Sequence, residues 1–331
     1  MTHFIGIDVG GTKSAAVVID DSGATAARHW KEHQGRWQGR LLETVYSSIE
    51  RVTAEGGIGL DQVGAFGVAV AGLVSRNQST LVYSPIIRES HFDLGVRLSE
   101  RLGRPVVVEN DANATLYGIT RHQRATSDRS PDESRVALLL TLGTGFGGAI
   151  MVGDRIIVGE HGFAAELGHL TVDYADERTC VCGSRGCIEQ FASGRGIAEL
   201  AAVTPPPPAS RETLDGLGAI APYSARDIVA AAEQGDPWAT GLLTLCGAML
   251  GRALSILCVT LDPTTVTIGG TFGHATGPWL LPSALEEMRN RSTYAAERPL
   301  PRLTMDAIGP YAAATGAAML AAANFEKDRG Q

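Results

Sequence analysis

Cysteine is scarce here, with five residues in a chain of 331, and so are the features that send a chain to a membrane or to nucleic acid. No leader with a basic start, an apolar middle and a small-residue cleavage site precedes the first expected strand, and no uninterrupted apolar run reaches about 18 residues. The expected location is therefore the cytoplasm, with no membrane partner. The net charge is −8 and Lys and Arg form no stripe, which argues against a phosphate backbone or an anionic lipid surface as partner. A small molecule is the expected partner. What the chain does have is 44% hydrophobic residues, enough for two domains with cores, and 40 glycines, which signal many tight turns.

The few cysteines are unevenly placed. Within "ELGHLTVDYADERTCVCGSRGCIEQ" (166–190), Cys180, Cys182 and Cys187 fall in eight positions, and His169 precedes the first by eleven. In a reducing compartment such a cluster more often binds metal than forms disulfides. Three thiolates and an imidazole are a Cys3His set, which zinc takes in closed tetrahedral sites. With four protein ligands no position is left for substrate, so the ion would be structural. Gly183 and Gly186 supply the backbone freedom for a chain folding back on an ion. The alternatives are three free thiols in a surface turn or a transient disulfide. A redox role would show as Cys-X-X-Cys before a helix, which is absent. Closing the site would also pin Glu166 and Glu189 nearby. Cys246 and Cys258 lie in the apolar run "GLLTLCGAMLGRALSILCV" and read as core residues.

Apolar alternation around a glycine turn makes "HFIGIDVGGTKSAAVVID" a β-hairpin from about residue 3 to 20. The pattern returns in "ALLLTLGTGFGGAIMV", and the chain reads as internally duplicated. Leu41, Val45, Ile49 and Val52 have helical spacing. "VGAFGVAVAG" (63–72) and "PVVVEN" (105–110) read as buried strands of a mixed α/β sheet, with "DANATLYGITR" a helix at their end. Residues 122–134 read as a loop, and "TPPPPAS" (204–210) as a surface spacer that can hardly be helix. Then come the helix-like "SARDIVAAAEQGD", a long apolar helix over 238–260, a strand ending in the glycine turn Gly269-Gly270, and an Ala-rich terminal helix packed closely against its neighbours.

Glycine turns between strands let backbone N–H groups converge on phosphate oxygens. Two matched copies, Gly10-Gly11-Thr12-Lys13 and Gly143-Thr144-Gly145, suit a nucleotide phosphate, although each alone is equally a structural turn. Neither has the P-loop spacing. Asp8 is a candidate to orient Mg²⁺ through water or else a turn cap, while Lys13 faces phosphate or solvent. Asp111, where a strand gives way to a helix, is the carboxylate best placed to take a proton from an acceptor hydroxyl; its alternative is an N-cap. Asn113 reads as an early helix residue.

"DVGGTK", "ENDAN", "TLGTGFGG", "ELGH", "CVCGSRGCIEQFASG" and "DPTTVTIGG" follow the order found in the ROK family of repressors, open-reading-frame proteins and sugar kinases, and the chain resembles that family from residue 3 to about 323. The resemblance implies an actin-like (ribonuclease-H-like) duplicated two-domain α/β fold with an interdomain cleft. It implies a smaller domain of residues 1–113 plus about 310–331, closed by the C-terminal helix, and a larger one of 114–309 carrying the zinc motif. It implies transfer of the γ-phosphoryl group of ATP, with Mg²⁺, to a hexose hydroxyl, glucose first and an N-acetylated hexosamine next. Asp111 then matches the general base, and Asn110, Glu166, His169 and Glu189 match positions that hydrogen-bond sugar hydroxyls. His169 would serve zinc with one nitrogen and sugar with the other; Gly269 and Gly270 join the phosphate-binding set. A homodimer or homotetramer follows by analogy. One segment, "YSPIIRESHFDL", departs: Ile86 stands where sugar-phosphorylating members carry an asparagine, and no tryptophan follows, so one hydroxyl loses its usual partner. A regulator of this family would carry an N-terminal helix-turn-helix, and the first strand is expected at about His3.

Overall fold

The two hairpins each grow into a sheet of the same topology. In the computed structural model, which describes every residue except Thr12, 33–39, 126–134, Ala295, 307–308 and 330–331, β1 (His3–Val9) turns into β2 (Lys13–Asp20) and β3 (Thr25–Glu32), while β4 (Val63–Val70) and β8 (Val106–Asn110) add in parallel on the other side. The order is β3-β2-β1-β4-β8. The second sheet uses β9 (Val136–Leu142), β10 (Phe146–Val152), β11 (Arg155–Ile156), β12 (Thr265–Gly269) and β13 (Arg302–Met305) in the order β11-β10-β9-β12-β13. Strand for strand the two orders match, which is the duplication read from the sequence. A smaller antiparallel sheet is made by β5 (Leu73–Val74), β6 (Leu81–Ser84) and β7 (Glu89–Phe92).

β1 and β4 are buried at every position because both faces of the sheet are covered. Ile5, Ile7 and Val9 pack with Leu41, Val45, Ile49 and Val52 of α1 (Leu41–Gly56) and with Leu94 and Leu98 of α2 (Leu94–Leu102). Phe4, Ala15, Val17 and Ile19 pack instead against Ala314, Ala318 and Ala321 of α9 (Ala312–Arg329). The approach is close enough that a Cβ on Gly6 would stand 1.9 Å from the Ala314 carbonyl oxygen. The terminal helix is Ala-rich for that reason, as expected.

Chain contacts divide the protein into two compact units, residues 1–133, 149–165 and 307–331 in the first and 134–148 and 166–306 in the second. The domain boundary expected at 113 falls inside α3 (Asp111–Ala125), which the first unit keeps whole. The second unit carries α4 (Gly194–Val203), α5 (Pro208–Gly216), α6 (Ala225–Glu233), α7 (Pro237–Leu261) and α8 (Thr271–Arg291).

Parts of the sequence reading need correction. The proline run does enter a helix, because Pro208 occupies the first turn of α5, where its missing N–H has no partner to lose. α8 was not foreseen at all, since Pro278 and Pro282 lie inside it. Packing outweighs propensity here: Gly247 and Gly251 of α7 have no Cβ to hold α8 off, and one on either would come within 2.6 Å of a backbone oxygen of Leu280 or Ala284. Of the expected loop at 122–134, residues 122–125 continue α3, and the rest lies outside the described residues. Among the described residues one helix, α7, is long and apolar enough to cross a membrane, and 67% of its apolar window is buried within the protein. Cys246 and Cys258 are both in its buried face, as expected.

Candidate active site and metal centre

In the first unit, parallel strands β1, β4 and β8 end together, and the register puts Asp8 opposite Ala69 and Ala69 opposite Glu109. β8 passes directly into α3, with Asp111 its first residue. The helix cap is Asn110, not Asp111: Asn110 Oδ1 accepts the N–H groups of Ala112 at 2.9 Å and Asn113 at 3.1 Å. Asn110 Nδ2 donates to the Gly72 carbonyl at 3.0 Å, leaving its second amide hydrogen for a ligand. Asp111 Oδ1 accepts the Ala112 N–H at 2.9 Å. Asn113 is buried in the helix's first turn, as its sequence position implied.

Asp8 feels this carboxylate. Burial pushes the Asp8 carboxyl up to about 7, the Asp111 charge adds to the rise, and the Lys13 ammonium opposes it. A folded value so far above the unfolded 3.8 contributes stability at low pH that is lost as pH rises from about 4 to about 7. Asp8→Asn cannot ionise, so the variant melts higher than the wild type at about pH 8 and loses that advantage below about pH 5. A melting-temperature series in pH reads this directly; a pH-independent offset would mean that folding leaves the Asp8 pKa at its unfolded value.

Both hairpin loops span three residues, 10–12 and 143–145. The Gly10 N–H donates to the Lys13 carbonyl at 3.0 Å, and the Gly143 N–H to the Gly145 carbonyl at 2.9 Å. Thr12 lies outside the described residues. A Cβ on Gly11 would meet Ile86 Cγ2 at 2.7 Å, so the departing loop leans on the first hairpin. In the second unit, the carbonyls of Gly143 and Thr144 accept the N–H groups of Gly194 and Arg195, tying the hairpin to the start of α4. Gly270, with φ +85°, opens α8 beside the same hairpin, and its Cβ would lie 2.3 Å from the Leu142 oxygen.

The four soft donors do converge. His169, Cys180, Cys182 and Cys187 offer ligand atoms that all lie within 4.8 Å of one another. Cys182 Sγ is 3.7 Å from Cys187 Sγ, and Cys180 Sγ 3.6 Å from His169 Nδ1. A tetrahedron with Zn–S bonds of about 2.3 Å has edges of about 3.8 Å, so these two separations match the edges of a zinc site. Gly183 and Gly186 adopt φ +87° and +67°, the left-handed turns expected of them. A Cβ on Gly186 would also strike the Asp173 carbonyl oxygen at 1.9 Å. Burial raises the Cys180 thiol and pushes Cys187 up to about 12.

Cys187 leads straight into a short 3-10 turn, Ile188–Gln190, that carries Glu189. Glu189 is buried; its Oε2 accepts the Phe146 N–H at 2.8 Å, and its Oε1 pairs with Arg195. Glu166 precedes another 3-10 turn, Leu167–His169. Although Glu166 keeps solvent contact, crowding by protein atoms raises its carboxyl, the neighbouring His169 opposes the rise and Glu189 adds to it. The metal loop, the second hairpin and both carboxylates thus form one connected set within the second unit. Sequence reading missed Arg195, whose backbone holds Thr144 and whose side chain holds Glu189; only its place six residues beyond Glu189, at the start of a helix, pointed to it.

Known proteins resemble this chain over most of its length. Glucokinase of Streptomyces coelicolor is 34% identical over 269 residues, covering 80% of this chain and 81% of that protein. N-acetylmannosamine kinase of Escherichia coli is 30% identical over 276 residues, covering 82% and 84%. The crystal structure of a ROK family glucokinase from Streptomyces griseus, in complex with glucose and AMPPNP, superposes with a TM-score of 0.78 at 31% identity, over 96% of this chain and 99% of that one. Fold and site together define a duplicated α/β protein of the actin-like class. The sequence profile of the ROK family matches residues 4–324, and the chain belongs to that family.

Proposed function

We propose that this chain is a cytoplasmic, ATP-dependent hexose kinase that transfers the γ-phosphoryl group to a sugar hydroxyl, with glucose the first candidate acceptor. The observation that carries the reading is the pair Asp8 and Asp111: two carboxylates that feel each other's charge where parallel strands end, beside a three-residue glycine hairpin. Phosphoryl transfer asks the protein for little beyond alignment, charge neutralisation and a proton acceptor. Asp111 accepts the proton of the attacking hydroxyl as the new P–O bond forms and the bond to the β-phosphate oxygen breaks. Asp8 would hold water of a Mg²⁺ ion, whose role when bound is to offset the charge on the transferring phosphate. Backbone N–H groups of 10–13, 143–145 and 269–270 would face phosphate oxygens, with Lys13, Thr12 and Thr144 adding donors. In the second unit Glu166, His169 and Glu189 would receive sugar hydroxyls, as would Asn110 in the first. Zinc on His169, Cys180, Cys182 and Cys187 would hold the second-unit set in register. Relatives named glucokinase lend the sugar its first candidate, and self-association as a dimer or tetramer is part of the same reading.

A second reading, an N-acetylmannosamine or N-acetylglucosamine kinase, draws on the first unit. Ile86 is 52% exposed and touches the hairpin at Gly11. An isoleucine offers a hydroxyl no hydrogen bond but can contact a methyl group, so the one hydroxyl facing that position would be discriminated weakly. ADP release from Mg-ATP across hexoses and N-acetylhexosamines, with zinc-replete protein, tests both readings. Clear turnover with one sugar supports the kinase and names its acceptor; tight sugar binding without turnover would instead make the chain a sugar sensor.

A further inference from the structure

Glu109 takes no part in the chemistry above, yet it is only 3% exposed and stands two residues before Asp111. Its Oε1 accepts the Asn110 N–H at 2.8 Å and Asn113 Nδ2 at 3.0 Å. Its Oε2 accepts Gln78 Nε2 at 2.6 Å. A buried carboxylate is retained only when donors satisfy it, and here three do.

The Gln78 donor comes from elsewhere in the first unit, the turn between β5 and β6. Gln78 has φ +54°, uncommon for a residue with a side chain. Its N–H donates to the Ser75 carbonyl at 2.8 Å, and its own carbonyl accepts the Val108 N–H at 2.8 Å. Since β8 is the outer strand of its sheet, that last bond engages an edge that no further strand covers among the described residues. Backbone held in a costly conformation by its surroundings marks a place where geometry is being fixed. The Glu109–Asn110 turn is thereby clamped by two outside partners, through Glu109 to Gln78 and through Asn110 to Gly72.

We propose that Glu109 is a positioning residue for phosphoryl transfer: with Gln78 it fixes the β8–α3 turn so that the Asp111 carboxylate stands where the acceptor hydroxyl gives up its proton. The proposal rests on Asp111 being the base. A misplacement of about 1 Å at a reacting group costs on the order of 10²-fold in rate, which is ample for a clamp to matter.

Glu109→Gln is isosteric, but it removes the charge from all three bonds and replaces one acceptor oxygen by a donor, so Gln78 keeps its bond only by turning its amide over, away from Asn324. Its kcat is expected to fall about 10- to 100-fold with KM for Mg-ATP nearly unchanged. The double variant Glu109→Gln, Gln78→Glu reverses donor and acceptor across the same bond and leaves the other oxygen on Asn110 and Asn113. It is expected to regain at least about a third of wild-type kcat. Amide exchange at Asn110 should quicken in the single variant and slow again in the double. A purely structural carboxylate would lower the melting temperature and leave kcat of the folded fraction unchanged, and that result overturns the proposal. So does a double variant that recovers stability without recovering kcat. If Glu109→Gln does not fold, Gln78→Ala reads the same bond, with a smaller kcat loss expected and an unchanged kcat counting against the clamp. A wild type inert with every sugar removes the kinase reading and this inference with it. A wild type that turns over beside an equally fast Glu109→Gln removes the inference alone.

Discussion

Asp111→Asn lowers kcat by about 10²- to 10⁴-fold while leaving the KM for sugar within about tenfold of the wild type. The size of the split follows from what the substitution keeps. Asp111 Oδ1 accepts the Ala112 N–H, and an asparagine carbonyl oxygen can accept the same bond. The helix N-terminus is unaffected, because Asn110 provides the cap. What disappears is the basic lone pair, since an amide oxygen does not take a proton near neutral pH. Alignment and charge neutralisation remain and account for residual turnover. A second readout is independent of sugar. The Asp111 charge helps to raise Asp8, so the variant should lower the Asp8 pKa from about 7 and stabilise the fold at neutral pH. Loss of kcat in a protein that melts higher separates a missing base from a damaged fold. Wild-type kcat in the variant would remove Asp111 from the chemistry.

The strands and the hairpins were readable because their signals are local: apolar alternation, glycine turns and helical spacing lie within a few residues of one another. Duplication was readable too, since two like hairpins predict two like sheets, and the strand orders agree. By that correspondence Asp8 is matched by Thr141, so only the first copy carries the carboxylate. The cysteine cluster was legible from spacing because three of its four members come from one short loop. The rest was hidden wherever partners come from distant segments. Nothing near Glu109 in sequence announces Gln78, which is 31 residues away. Nothing near Glu189 announces the Phe146 amide, 43 residues away. Asn110 could be matched to a sugar contact but not recognised as the cap, because the sequence cannot tell which of two adjacent capping residues takes the non-helical position. α8 was hidden by its own prolines, and its cause lies in glycines of another helix.

Cys182→Ser is expected to take zinc from about one ion per chain to near none and to raise the KM for sugar about 10- to 100-fold. Cys182 is the exposed member of the cluster, so the hydroxyl is not buried and the fold has no desolvation cost to meet. The loss is one of chemistry: a neutral hydroxyl is a poor ligand for a borderline-soft ion, and three remaining donors do not close a structural site. Its consequence for sugar runs through two short connections. His169 is a member of the cluster, with Nδ1 toward Cys180 and its other nitrogen left for a ligand. Glu189 follows Cys187 by two residues, in a turn whose start pairs with Thr171 through a single bridge. Without the ion the loop is held by that bridge, by backbone bonds such as Cys180 N–H to Ser184 O, and by the Glu189 contacts to Phe146 and Arg195. The Phe146 and Arg195 contacts predict that Glu189 keeps its place better than His169 does, so the variant should lose the His169 contribution first. Cys246→Ser is the control. That thiol is buried in α7, outside the cluster, so it should lower the melting temperature with zinc and sugar KM intact. A zinc-free Cys182→Ser protein that binds sugar as the wild type does would show that the ion holds the loop for stability alone, and that the sugar site needs only the protein's own hydrogen bonds.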